Sequence, residues 1–465
     1  MHPSTSIDDP GPFPSRRAPA ALREYPLLGV LPHLVGDPLR LLDAVAGKAP
    51  TRVVPLKAGP VRFYLLTRPE HVEHVFVSHV RNYEKGQMFW KPARRLGGDG
   101  LPLSEGDLWL RQRRLLQPLF TPKHLAGLVE LMIPVIAEEV EALGRAAADG
   151  PIDIAPEMVR IAQRVVGRAL FGAQMPAADA EALRAAVGVA HGVIASRMFL
   201  FFVPDWVYLP GESALRRAIG QVDEILHRFI RQQRAAAAAA ARRSGGLLDL
   251  LLGARDEHGE GISDRLLRDE ILSMFFAGSE TVALTMTWLW HLLEEHPEVD
   301  LRMRAEIDEV LGTRTPRFED LARLTCTRAV IQETMRLYPP GWILPRFSVK
   351  DDVVGGCRIP ARSAIVASPY LLHRNPTVWD RPKAFEPERF TPERSEGRHR
   401  HAFIPFGAGP RVCIGNHLAI AEAQLITALL ARRFRPRRVP GHPVEAAAGA
   451  TLAPRHGLRV RLESV

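Results

Sequence analysis

The sequence predicts a mainly α fold with small β-sheets (α+β), and three observations predict it. Apolar residues recur at helical spacing in long stretches, as Leu418, Ala421, Leu425 and Leu429 do at i, i+3, i+7 and i+11. Short stretches alternate apolar and polar residues beside Gly-containing turns, the pattern of strands and hairpins. Of the 465 residues, 46% are hydrophobic, ample for a core that encloses a pocket.

Met1 to Pro19 has no apolar core segment of the signal-peptide type, and residues 1–24 read as a polar, Pro-rich, flexible tail. Tyr25-Pro26-Leu27-Leu28-Gly29 opens the folded part. Val53 to Leu56 and Val61 to Leu66 flank Ala58-Gly59-Pro60 and read as a β-hairpin. A loop follows, with Met88, Phe89 and Trp90 as its apolar part and Gly97-Gly98-Asp99-Gly100 as its flexible part. Aromatic side chains there either tuck into the core or line a site. Trp109 and Arg113 are four residues apart and share a helix face. Their N–H groups suit a carboxylate jointly, or form a cation–π or capping pair.

Residues 124–245 are helical in pattern. Within them Met198 to Leu209, which holds Phe199, Phe201 and Phe202, is strongly apolar and broken by Pro204. It suits core, a membrane-surface contact or a lid. Ile262 to His296 reads as one long helix ending before Pro297. Its segment Ile271 to Ala277 is apolar on nearly every side and should be buried. Polar residues then interrupt it in Ala277-Gly278-Ser279-Glu280-Thr281. A buried Glu needs a partner, and Thr281 could bond back to the backbone and bend the helix. Glu333 and Arg336 stand one helical turn apart, as in an ordinary i,i+3 pair. Val354 to Val366 reads as a second hairpin turning at Gly355-Gly356, and Leu458, Val460 and Leu462 alternate as a closing strand.

Phe406-Gly407-Ala408-Gly409-Pro410-Arg411-Val412-Cys413-Ile414-Gly415 places a cysteine at the end of a Gly-rich loop, just before a helix. The helix N-terminus should favour thiolate over thiol. Gly409 and Gly415 should supply backbone angles closed to other residues. A dinucleotide fingerprint is excluded by Val412 where its third Gly would stand, and a P-loop by the missing Lys-Ser/Thr. Zinc at Cys413 is disfavoured, since no second Cys stands at ligand spacing nearby. The three cysteines, Cys326, Cys357 and Cys413, argue against a disulfide framework and for a reducing compartment.

Net charge is +9, with arginines grouped at 111, 113 and 114 and at 432, 433, 435, 437 and 438. These suit a solvated basic surface or a docking face for an acidic electron carrier. No nucleic-acid-binding module accompanies them. No apolar run approaches the ~20 residues that span a bilayer, and the expectation is a cytoplasmic protein.

Taken whole, Phe-x-x-Gly-x-Arg-x-Cys-x-Gly resembles the haem-binding loop of the cytochrome P-450 family, the haem-thiolate monooxygenases. Trp109-x-x-x-Arg113, Ala277 to Thr281, and Glu333-x-x-Arg336 with Arg389 resemble that family's other motifs, in the same order. Length alone suggests two or three domains; the resemblance implies one, residues 25–465, with haem between the long central helix and the Cys-loop helix. It further implies haem b with Cys413 as axial ligand. Phe406, Gly407, Arg411 and Gly415 would surround it, and Trp109, Arg113 and Arg346 would reach its propionates with Arg411. Ala277 and Gly278 would leave room for dioxygen, and Glu280 and Thr281 would relay protons. Glu333, Arg336 and Arg389 would form a structural triad behind the loop.

Substrate contacts are expected from Met88, Phe89, Trp90, Phe199, Phe202, Ser273, Trp342, Ile343, Leu344 and Leu452, around an apolar substrate. The motif neighbourhoods resemble bacterial relatives that oxidise terpenes, with fatty acids and polyketides as alternatives. No flavin segment or cluster-holding Cys set is present. NAD(P)H-derived electrons should therefore come from a separate ferredoxin or flavodoxin and its reductase, to a monomer. A peroxide-using or isomerising enzyme, or a haem sensor, fits less well, because Glu280-Thr281 is intact.

Overall fold

A computed structural model describes residues 25–172, 175–199, 207, 209–238 and 245–465. The tail assigned to residues 1–24 and the candidate Phe202 lie outside this range, as do the side chains of Met88 and Phe199.

Helices α1 (Leu31–Gly36) and α2 (Pro38–Lys48) lead into the hairpin of β1 (Val54–Ala58) and β2 (Val61–Leu66). Next come α3 (Pro69–Glu73), β3 (Tyr83–Glu84), α4 (Gln87–Gly97) and α5 (Gly106–Leu116). The stretch read as helical holds α6 (Pro122–Ala146), β4 (Ile152–Asp153), α7 (Ile154–Phe171), α8 (Ala177–Phe199) and α9 (Glu212–Ala238). Short α10 (Leu247–Gly253) precedes the central helix α11 (Asp264–Glu295), then α12 (Pro297–Leu311) and α13 (Thr325–Leu337). Strands β5 (Leu344–Ser348), β6 (Asp352–Val354), β7 (Cys357–Ile359) and β8 (Ala364–Ala367) precede α14 (Pro369–Leu372), α15 (Pro392–Ser395) and α16 (Asn416–Ala431). The chain closes with β9 (Phe434–Arg438), β10 (Ala446–Ala448), β11 (Leu452–Pro454) and β12 (Arg459–Ser464).

The largest sheet has the order β1-β2-β8-β5-β3, and its β2–β8 pair is parallel. The hairpin read over Val354 to Val366 is shorter than expected. Gly355 and Gly356, both at positive φ, join only β6 to β7. Strand β8 leaves for the large sheet, where Ala364, Ile365 and Ala367 are buried between β2 and β5. A second departure is α4, where a loop was expected. Gly97-Gly98-Asp99-Gly100 reads as flexible, yet Gly97 only closes the helix and Gly98 caps it, and Phe89, Trp90, Ala93 and Leu96 turn to the core.

Helix α11 runs through the middle and packs on α7 and α16. Ser263 caps it by accepting the Leu266 amide. Trp288, 1% exposed, stacks on Tyr338 with ring centroids 3.9 Å apart. The Gly-rich segment after α4 is clamped to α11, not flexible. The Asp99 amide donates to Asp269 at 2.9 Å and the Leu101 amide to Glu270 at 3.0 Å. A Cβ on Gly98 would lie 2.2 Å from the Asp269 carboxylate, and one on Gly100 2.1 Å from Ser273 Oγ. Glycine is what lets this chain lie against the helix.

The arginine groups are largely paired. Arg435 bridges Asp300 at 3.1 Å, Arg437 bridges Glu463 at 3.1 Å, and Arg438 bridges Glu295 at 2.6 Å, while Arg433 pairs with Glu141. Arg111 pairs with Asp256 at 2.7 Å and Arg114 with Glu257 at 3.6 Å.

Burial pushes the Glu270 carboxyl up to about 7, against the Leu101 and Gln112 hydrogen bonds that pull it down. The folded chain therefore holds a proton that the unfolded chain releases near its ordinary value of 4.5. That contribution to stability is full below the unfolded value and is lost as pH rises through about 7. Glu270→Gln, which cannot ionise, is expected to gain on the parent as pH rises from about 5 to about 8. Thermal midpoints of both proteins across that range check it, and a constant difference would count against the raised pKa.

Candidate functional site

The Cys loop is built by its own backbone. The Gly407 amide donates to Ile404 O at 3.1 Å, Val412 to Gly409 O at 3.0 Å, and Cys413 to Phe406 O at 2.9 Å. Gly407 and Gly409 lie at φ of +78° and +70°. A Cβ on Gly409 would sit 1.8 Å from the Phe76 carbonyl oxygen, so the loop reaches this position only with glycine. Gly415 corrects the sequence reading: its φ of −90° is open to any residue, and it is simply the N-cap of α16.

Cys413 is walled in by protein, yet its surface remains accessible, so it lines an interior hollow. The expectation of a thiolate favoured by the helix end does not hold by itself. Burial pushes the thiol up, and the Gly415 amide with the charges of Arg113 and Lys85 only offsets part of that. A cation bound to the sulfur would supply the remainder.

Behind the loop, Glu333 and Arg336 are both 0% exposed and Arg389 is 3% exposed. Arg336 donates to both Glu333 oxygens, at 2.6 and 2.7 Å, and to the carbonyls of His373, Pro382 and Ala384. Arg389 Nε lies 3.4 Å from Glu333, and the Glu386 amide donates to it at 2.9 Å. The Ile404 amide in turn donates to His373 Nε2 at 2.9 Å, which ties the start of the Cys loop to this cluster.

Four cations converge beside the loop. Arg113 donates to Val412 O at 2.9 Å. Arg411 donates to Ser104 O at 3.0 Å and pairs with Glu105. Arg346 is buried, 4.4 Å over the Phe76 ring; burial, with the Arg411 charge, pulls it down to about 10. The fourth, Lys85, was missed, because nothing in its local pattern separates it from a surface lysine. Burial and the charges of Arg346 and Arg411 pull it down to about 7. Glu105 opposes Lys85, Arg346 and Arg411, leaving an excess of positive charge, so the region favours an anionic group. The Trp109 ring lies 4.3 Å under the Arg411 guanidinium.

In α11, Ala277 is exposed and Gly278 and Thr281 are half-buried, although Phe275 and Ser279 beside them are buried. Thr281 Oγ1 donates to Ala277 O at 2.7 Å, as a helix-bending threonine does. Gly278 serves packing too, since a Cβ there would lie 3.1 Å from Val166 of α7. Glu280 accepts from Thr451 Oγ1 at 2.8 Å and meets His191 Nε2 of α8 at 3.0 Å. Neither partner was foreseen, for they come from 89 residues before and 171 after.

Of the substrate candidates, Phe89 and Trp90 form an edge-on pair with centroids 5.2 Å apart, and Ile343 and Leu344 are half-buried. Ser273 is buried with its hydroxyl on Gly97 O at 3.3 Å. Trp342 is 4% exposed and donates to Gly449 O at 2.8 Å. Leu452 is 0% exposed, and its carbonyl accepts from Trp288.

An accessible thiol inside the protein, a gap in the burial of the central helix and a cationic margin fit a flat, anionic, metal-bearing ring, and so define a haem-thiolate class of protein. The family model "Cytochrome P450" matches residues 19–453, and the chain belongs to that family; it is a cytochrome P450 monooxygenase. It is 36% identical to the cyclooctat-9-en-7-ol 5-monooxygenase of Streptomyces melanosporofaciens over 92% of this chain and 91% of that one. It is 31% identical to the pentalenene oxygenase of Streptomyces avermitilis, over 97% of each. The crystal structure of the cytochrome P450DA heme domain superposes with a TM-score of 0.85 over 95% of this chain and 96% of that one, at 24% identity, which shows the fold. Among the described residues no helix is long and apolar enough to cross a membrane.

Glu333→Ala would leave Arg336 and Arg389 buried without their carboxylate, at about 3–5 kcal/mol. The expected outcome is little or no holoprotein, read from the ratio of haem to protein absorbance. Normal haem incorporation would show that the Cys loop does not depend on this cluster.

Proposed function

We propose that this chain oxygenates a terpenoid, inserting one atom of dioxygen with electrons from a separate ferredoxin or flavodoxin and its NAD(P)H-dependent reductase, in the cytoplasm. The observation that carries the substrate class is the similarity to oxygenases named for cyclooctatenol and pentalenene over nearly the whole chain. The accessible apolar side chains of Phe89, Trp90, Ile343 and Leu344 suit such a substrate.

In this reading Cys413 ligates the iron of haem b, with Phe406, Gly407 and Gly415 around the thiolate. Arg113, Arg346 and Arg411, with Lys85, neutralise the propionates, and Trp109 backs Arg411. The haem, when bound, supplies the oxidising chemistry. The chain holds the thiolate in place, neutralises the carboxylates, orients the substrate and moves protons. Thr281 has a hydroxyl one bond rotation from the accessible surface at Ala277. Glu280 can supply that hydroxyl with a proton only after leaving Thr451 or His191.

Holoprotein titrated with cyclic terpenes and with fatty acids tests the substrate class. Terpenes are expected to shift the haem absorbance from low to high spin and to yield oxygenated product with a surrogate ferredoxin and reductase. A response to fatty acids alone would overturn the assignment. Thr281→Ala is expected to keep haem content and substrate affinity while product per NAD(P)H falls and hydrogen peroxide rises. An unchanged ratio would leave Thr281 only its bond to the Ala277 carbonyl.

A further inference from the structure

Glu73, His399 and His401 bring one carboxylate oxygen and two imidazole nitrogens within 4.8 Å of one another. Glu73 ends α3, and the two histidines stand in the segment between α15 and the Cys loop. Glu73 Oε2 lies 3.2 Å from His399 Nε2 and 4.0 Å from His401 Nδ1. We propose that these three side chains form a site for a divalent transition-metal cation, zinc by its ligand chemistry, that clips the end of α3 to the segment feeding the Cys loop.

Two imidazoles and one carboxylate are a recurrent zinc donor set, with water completing the tetrahedron. At metal–ligand distances of about 2.0–2.1 Å, donors at a tetrahedral site stand about 3.3 Å apart. The Glu73–His399 edge already has that length, and the others close by small side-chain rotations. The second observation is His401 itself. It is 5% exposed, and its Nδ1 is buried with no hydrogen-bond partner. A buried polar atom left so is rare and costly, and a metal ion is one of the things that satisfies it. Glu73 and His399 remain 39% and 30% exposed, which leaves a way in from solvent.

One local bond opposes loading. His399 Nδ1 accepts the His401 amide at 3.1 Å, so its proton sits on Nε2, toward Glu73. As the cation takes Nε2 that proton moves to Nδ1, and the amide contact opens. The site is therefore of moderate affinity. Its grip would pass along the loop through the Ile404 amide on His373 to the carbonyl of Phe406, which accepts the Cys413 amide.

Tag-free holoprotein titrated with zinc chloride in a calorimeter tests the site. One equivalent is expected to bind with micromolar affinity and to raise the thermal midpoint. Glu73→Gln and His401→Ala are each expected to weaken binding by about tenfold or more, with the reduced CO spectrum unchanged. Should either variant fail to fold, zinc-edge anomalous density in soaked crystals of the parent decides, and it is expected between the three donors. Density instead at the stacked His74–His79 pair beside Asp352, or no saturable binding by the parent, would overturn the proposal.

Discussion

The carboxylate of Glu333, shut away from water, is the constraint on which the rest depends. An isolated charge at that depth is untenable, so it draws two guanidinium groups and a backbone amide around it. Arg336 then spends its remaining donors on three carbonyls from the segment 373–384. That long stretch has little regular structure of its own, and this cluster gives it a fixed course. His373 passes the constraint to Ile404, where the Cys loop begins. The loop's position is thus set from behind by charge and from in front by Gly409 fitting under the Phe76 carbonyl.

The central helix accommodates the site by local exceptions to its burial. Most of α11 is sealed by α7, α16 and the Trp288–Tyr338 stack. Between its ends it opens around Ala277, and there its polar side chains have partners: Thr281 the helix backbone, Glu280 Thr451 and His191. The proton relay proposed for this helix would therefore require Glu280 and Thr281 to change partners.

Much of this was legible because the chemistry is local in sequence. The Cys loop, the interrupted helix and the Glu333–Arg336 pair each declare themselves within ten residues, and the hairpin at Gly59 and the closing strand follow from alternation. What was not legible depends on partners far along the chain. Helix α4 forms because its apolar face meets the core, which outweighs Pro92 and the neighbouring glycines. Lys85 acquires its character from burial beside Arg346 and Arg411, and Glu280 its geometry from His191 and Thr451. Gly97 to Gly100 looked mobile because glycine permits motion, and the carboxylates that hold it lie about 170 residues on.

The paired arginines show where the net charge of +9 is not concentrated. In the two groups densest in arginine, most guanidiniums already face a carboxylate of this same chain. Opposite charges a few ångströms apart cancel locally, so these two groups are weaker positive patches than their count of arginines suggests, while the excess of +9 over the whole chain stays. Added salt would then act first on cohesion, loosening the ties of β9 to α11, α12 and β12. Ionic strength becomes a probe of how the end of this chain is stitched down.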